Sequence, residues 1–300
     1  MLANGTDFIG GAAISLKTTK ELLSKNNEVV EYSCKMIRGL HKLDIYKRYY
    51  YHTQEKQADK FIQKEKPDLI ITQLYFTPVA VRLAKKYGIK VIVFLRSYEH
   101  LQLQNRLFHQ KALLDADIVI ANSNFMRNRF LKELGVDSVV IYPPVETEKY
   151  PKRECENIIF LSPSKRKGID FVKGLIKALP NEHFEIIKGL EHRETLKRIA
   201  NAKVVLVPSV WEEPFGRIPV EAIQQNTPVI SSDRGGLPES NLGIILPLRK
   251  ELWIKAIQNI KPVNCREKAI KKFGIKRYQR EITKIFLKSK KNADLKPIPF

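Results

Sequence analysis

Short runs rich in valine and isoleucine alternate with amphipathic helical patterns along almost the whole chain, and this rhythm constrains the fold more than any other feature. A first series of such runs occupies residues 29–32, 68–74, 90–95, 117–121 and 138–142. A second occupies 157–161, 183–188, 203–207, 227–231 and 243–246. Strands this short and this continuously apolar are covered on both faces, so each series predicts a parallel sheet flanked by helices. Ligands of such sheets sit outside the carboxyl ends of the strands. Tyr142-Pro143-Pro144 and the polar stretch 145–156 part the two series. The predicted α/β organisation is a first domain over 1–145, a second over 146–274 and a terminal helix and tail over 275–300. The last segment is separate because 266–273 and 275–290 read as helices with no strand to follow, and Ile275, Tyr278, Ile282, Ile285 and Phe286 share one helical face.

Three hundred residues are enough for two such cores. No run reaches the roughly 18 apolar residues of a membrane-spanning helix, and the first eleven residues lack the basic start and apolar stretch of a secretory leader, so a cytoplasmic location is expected. Cys34, Cys155 and Cys265 are odd in number and widely spaced, which fits neither a disulfide framework nor a metal site. The six histidines show no ligand spacing, and each reads as a surface residue. The net charge of +21 points to anionic partners, and the last fifty residues alone carry 14 basic against 4 acidic groups. Charge alone, without aromatic platforms or a recognisable module, does not make a nucleic-acid site. Asp115-Ala116-Asp117 precedes a strand rather than following one, so it reads as a helix end and a strand start, not as a metal chelate.

The richest segment is Pro208-Ser209-Val210-Trp211-Glu212-Glu213-Pro214-Phe215-Gly216-Arg217-Ile218-Pro219-Val220-Glu221-Ala222. It joins a strand to a helix that is predicted to begin at Phe215-Gly216. The first amides of that helix have no intrahelical acceptor, so they and the positive helix end suit a diphosphate. Glu213 in the loop and Glu221 in the helix can accept hydrogen bonds from sugar hydroxyls; the plain alternative is that Glu213 caps the helix and Glu221 is solvated. A second strand-to-glycine-loop segment follows, ending in Asp233-Arg234-Gly235-Gly236-Leu237-Pro238-Glu239.

Together these segments resemble the second domain of retaining glycosyltransferases of the GT-B fold, specifically the large family 4, also described as group 1 glycosyl transferases. Glu213 and Glu221 are separated by seven residues, as in the family's paired-glutamate motif, with Phe215-Gly216 between them. Ser162-Pro163-Ser164-Lys165-Arg166-Lys167-Gly168 follows a strand where the family has a lysine-glycine pair, and the resemblance gives Lys167 the donor diphosphate. Residues 117–123 and 142–145 resemble the end of the family's first domain, and Gly10-Gly11 resembles its glycine loop, although an ordinary tight turn before a helix explains that pair nearly as well.

The resemblance implies two Rossmann-like domains facing a cleft, with the last helix crossing back to the first. It implies transfer of a sugar from a nucleotide-diphosphate donor, UDP- or GDP-linked, to a glycan or lipid-linked hydroxyl, with retention and with no metal or other cofactor. Glu213, Lys167 and Arg96 would be catalytic. Gly10, Gly11, Ser162, Lys165, Arg166, Pro214, Phe215, Gly216, Arg217, Ile218 and Glu221 would line the donor site with Lys167. Three departures stand out. The strand before Gly10-Gly11 is short, irregular or lost; Ser162 stands where many members have arginine, with Lys165 or Arg166 as substitutes; and Arg96-Ser97-Tyr98 replaces a common histidine, leaving Arg96 either facing a phosphate or on the surface. A sugar-nucleotide epimerase of the same fold and a silent nucleotide-sugar-binding protein remain the alternatives. The basic surface extends the expected partners to an anionic membrane surface.

Overall fold

The computed structural model describes residues 2–4, 11–34, 44–101, 106–151 and 156–289. Two compact units result: one holds the residues up to Tyr142 together with those from Gln279 onward, and the other is Pro143–Tyr278. No helix of the described residues is long and apolar enough to cross a membrane.

In the first unit the order is β1 (Leu2–Asn4), α1 (Gly11–Leu23), β2 (Tyr32–Cys34), α2 (Asp44–Glu65), β3 (Leu69–Gln73), α3 (Thr77–Tyr87), β4 (Lys90–Leu95), α4 (Arg106–Asp115), β5 (Ile118–Ala121), α5 (Asn124–Leu134) and β6 (Val139–Val140). Strands β3-β4-β5-β6 form one parallel sheet in that order, and β1 pairs with β2 in a small parallel sheet. The strand ahead of the glycine pair is therefore present and short. Its partner β2 begins three residues later than the apolar run at 29–32 suggests, because pairing with β1, Leu2 opposite Tyr32, sets the register. Helix α3 buries Val79, Ala80, Leu83 and Ala84 against the sheet, the spacing of one helical face, and stops at Gly88, whose φ of +65° needs a glycine. Helix α5 starts where Ser123 Oγ accepts the Met126 amide at 3.0 Å, and it buries Met126 and Phe130 in the same core.

The second unit contains β7 (Ile158–Leu161), α6 (Ile169–Ala178), β8 (Phe184–Ile187), α7 (His192–Ala200), β9 (Val204–Val207), α8 (Arg217–Gln224), β10 (Val229–Ser232), α9 (Leu237–Ser240), β11 (Ile244–Leu246), α10 (Lys250–Gln258) and α11 (Arg266–Phe273). Its parallel sheet runs β11-β10-β9-β7-β8, so β9 lies at the centre between β7 and β10. Strands β7 and β9 are buried at every position, as expected of central strands covered on both faces. Trp253 of α10 is fully buried beneath them, edge-on to Phe171 at 5.3 Å, with its indole N–H donated to the Pro247 carbonyl at 2.9 Å. The last helix, α12 (Ile275–Ser289), buries Tyr278, Ile282, Ile285 and Phe286 of the predicted stripe and leaves its first member, Ile275, half-buried, whereas Lys276, Arg280 and Lys284 are exposed. Arg277 is buried and lies over the Tyr278 ring at 6.0 Å.

Candidate active site

Three loops leave the carboxyl ends of β7, β9 and β10, the neighbouring strands at the middle of the second sheet, and they are tied to one another by backbone contacts. The Val210 amide donates to the Arg166 carbonyl at 2.9 Å, and Ser232 Oγ donates to the Ser209 carbonyl at 2.7 Å. Gly168 has φ +88°, and a Cβ there would lie 2.0 Å from the Pro208 carbonyl oxygen, so only glycine permits the β7 and β9 loops to meet. The β10 loop closes on the glutamate segment in the same way. The Gly236 amide donates to the Glu213 carbonyl at 2.6 Å, Gly235 bridges Glu213, and a Cβ at Gly235 would sit 2.3 Å from the Glu213 carbonyl oxygen. The second glycine motif thus clamps the backbone that carries the first glutamate.

At that clamped position Glu213 is 4% exposed. Its Oε1 accepts from Lys167 Nζ at 2.5 Å, from Ser209 Oγ at 2.7 Å and from Trp211 Nε1 at 2.9 Å. A carboxylate this buried is tolerated because an ammonium and two neutral donors replace its water. Lys167 and Glu213 are 46 residues apart in sequence, and only the packing of the two loops brings them together. The Trp211 ring faces two cations, Arg166 at 5.6 Å and Lys167 at 5.8 Å.

Helix α8 begins at Arg217, with Gly216 as its N-cap at φ +86°, so Phe215 lies ahead of the helix and not in its first turn. The reason is steric: a Cβ at Gly216 would meet Leu237 at 2.5 Å, and the Phe215 ring is buried edge-on to Phe273 at 5.7 Å. The amides at the helix start that lack intrahelical acceptors are therefore those of Arg217 and Ile218, since Pro219 has none. Glu213 does not cap this helix, and Glu221 is not solvated. It is 5% exposed, with Arg217 Nε 3.4 Å from its Oε1, and Arg217 also donates to the Pro144 carbonyl at 2.9 Å. In the β7 loop Ser162, Lys165 and Arg166 are exposed. Ser162 adopts φ +56°, a left-handed conformation unusual for a non-glycine residue and found disproportionately at functional loops.

The remaining predicted residues belong to the first unit. Gly11 is the first residue of α1, and Gly10 lies outside the described residues. Arg96 follows β4 and is 7% exposed, stacked over Phe94 at 4.5 Å, so it is not the surface residue that its place at a strand end allowed. Asp115 ends α4 and pairs with Lys85; Asp117 pairs with Lys90 and accepts the Val91 amide. The histidine reading needs correction. His183 and His192 are exposed, but His100 and His109 are buried with their Nδ1 atoms 2.8 Å apart. One ring donates and the other accepts, so when both rings are neutral they take opposite tautomers. Burial lowers both: His109 falls to about 4, and His100, which also feels His109, falls well below the usual imidazole range. Neighbouring Glu99 is pushed up by its own burial. A nine-residue spacing gave no periodic signal for this pair.

Comparison with known proteins matches residues 25–149 to Glycosyltransferase Family 4 and residues 167–242 to Glycosyl transferases group 1. An uncharacterized glycosyltransferase of Methanocaldococcus jannaschii is 39% identical over 71 residues; the match covers 23% of this chain and spans 18% of the relative's length. A glycosyltransferase from Rickettsia africae has a similar structure, with a TM-score of 0.75 at 16% identity over 97% of this chain and 98% of that one. The HepE protein of Anabaena, solved in complex with UDP, gives 0.72 at 17% identity over 96% and 99% of the two chains. With one domain match in each half and a parallel α/β architecture shared over nearly the whole length of these structures, the chain belongs to the family 4 and group 1 glycosyltransferases and has the GT-B fold.

Proposed function

We propose that the protein transfers a sugar from a nucleotide-diphosphate donor to a hydroxyl acceptor, a glycan or a lipid-linked molecule, with retention of anomeric configuration and without a metal. The observation that carries this reading is the Lys167–Glu213 pair, 2.5 Å apart on two loops at the strand ends of the second sheet and close in sequence to the start of α8. Cleavage of the bond from anomeric carbon to phosphate oxygen develops negative charge on the diphosphate and positive charge on the sugar. The site offers both complements. The Lys167 ammonium has three donor protons, so pairing with one carboxylate oxygen leaves capacity for phosphate oxygens, and the α8 amides add to it. Glu213 accepts from the donor sugar's hydroxyls and its charge favours the cationic sugar, while Glu221, held by Arg217, receives the ribose hydroxyls. Pro214, Phe215 and Gly216 shape the wall between the two glutamates, and Arg166 and Lys165 supply exposed charge in place of the arginine that Ser162 lacks. The UDP complex of the Anabaena protein supports a uridine or similar nucleotide here.

The test is a thermal-shift panel of UDP- and GDP-sugars, since a ligand that binds only the folded state raises stability by RT ln(1 + [L]/Kd). It is followed by NMR of the product's anomeric proton with the donor that binds. Stabilisation by a nucleotide sugar and a retained anomer are expected. Failure of every nucleotide sugar to stabilise the protein would overturn the reading, an inverted product would overturn retention, and interconversion of donor sugars with no acceptor would replace transfer by epimerisation.

A further inference from the structure

The three donors around Glu213 are unevenly spread: all of them converge on Oε1. Among the described residues none hydrogen-bonds Oε2, although the residue is 4% exposed. The geometry points to Ser209 and Trp211 as positioning residues that saturate Oε1, fix the carboxylate's rotation and leave Oε2 as the single oxygen presented to the donor sugar. This inference rests on the glycosyltransferase reading above and names which oxygen and which supports perform it.

Each support is itself held. Ser209 is fully buried, and its carbonyl accepts from Ser232 Oγ. The Trp211 indole is flanked by the Arg166 and Lys167 cations, so its N–H direction is set by the same loop that carries Lys167. An ammonium alone is a weak aiming device, because Lys167 sits on a flexible stem and has to serve the diphosphate as well. Two neutral, directional donors remain on Oε1 while Lys167 divides its protons between carboxylate and phosphate. Misorientation by a fraction of an ångström at such a site costs far more than the hydrogen bond itself.

Trp211→Phe keeps an aromatic ring beside the two cations and removes the N–H donor together with the pyrrole half of the indole; Ser209→Ala deletes only the hydroxyl. Isothermal calorimetry with UDP against UDP-glucose, and GDP against GDP-mannose, separates the nucleotide from the sugar contribution. We expect both variants to keep the nucleoside-diphosphate Kd within about twofold and to lose roughly tenfold of the added affinity conferred by the sugar, the order of one charge-assisted hydrogen bond. A double-mutant cycle supplies the readout that a merely structural role would not move: on a Glu213→Ala background, which removes the acceptor oxygen altogether, Trp211→Phe adds nothing further if it acts through that carboxylate. Unchanged sugar affinity in both single variants, or full additivity in the cycle, would overturn the inference while leaving the glycosyltransferase reading intact. A wild-type protein that binds neither nucleotide sugar overturns both.

Discussion

Lys167 and Glu213 show how little of a site one residue determines. Each was identifiable from its motif, but the contact between them exists because Gly168 lets one loop touch Pro208 and Gly235 and Gly236 let another press on the glutamate backbone. If the pair serves the transition state, charge removal at either end should be felt in turnover more than in binding. We expect Glu213→Gln and Lys167→Ala each to lower kcat by roughly two orders of magnitude or more, and Glu221→Ala to act chiefly on the donor KM. Steady-state kinetics with the donor found by thermal shift would check this, and wild-type turnover in either of the first two variants would refute the assignment. Among single residues the sequence was least informative about Phe215. Its place beside the glutamates suggested the first turn of a helix, but the structure uses it as a core residue against Phe273.

Among the elements, the turn Glu99–Leu101 and helix α4 are joined by the His100–His109 pair, and this contact makes their stability depend on pH. A histidine whose folded value lies below its unfolded one favours the folded state above about pH 6.5 and loses that contribution as pH falls through the folded value, about 4 for His109. The shift corresponds to about 3 kcal/mol for that residue. Glu99, raised by burial, works in the opposite direction, since its penalty is relieved as it takes up a proton. Urea unfolding of the wild type and of His109→Gln between pH 7 and pH 4.5 isolates the histidine contribution. The wild type should lose more stability over that range, and parallel pH dependences in the two proteins would contradict it.

For the whole molecule, two expectations follow from charge. The diphosphate is to be neutralised by Lys167 and helix-terminal amides, so EDTA should leave activity within about twofold; activity abolished by EDTA and restored by Mn²⁺ would contradict this. The exposed Lys276, Arg280 and Lys284 of α12, within an overall charge of +21, should attract anionic vesicles at about 1 kcal/mol per basic group, fading as salt shortens the screening length. Liposome sedimentation at low and high ionic strength measures it, and absence of binding to anionic vesicles at low salt would remove the membrane from the account.

The alternation of apolar runs and amphipathic patterns determined the strands of the four- and five-stranded sheets to within a few residues, because a doubly covered strand has to be apolar throughout and this leaves a direct mark on composition. The paired glutamates, the Lys167-Gly168 turn and the apolar stripe of α12 were likewise legible, each being a local pattern with a local cause. Tertiary structure alone decided what depends on contacts between distant segments. It set the register of β2 on β1, the burial of Arg96 and Arg277, the neutral histidine pair, and the convergence of Lys167, Ser209 and Trp211 on one oxygen of Glu213. Those are properties of three-dimensional proximity and exclusion of water, and neither has a period or a spacing along the chain.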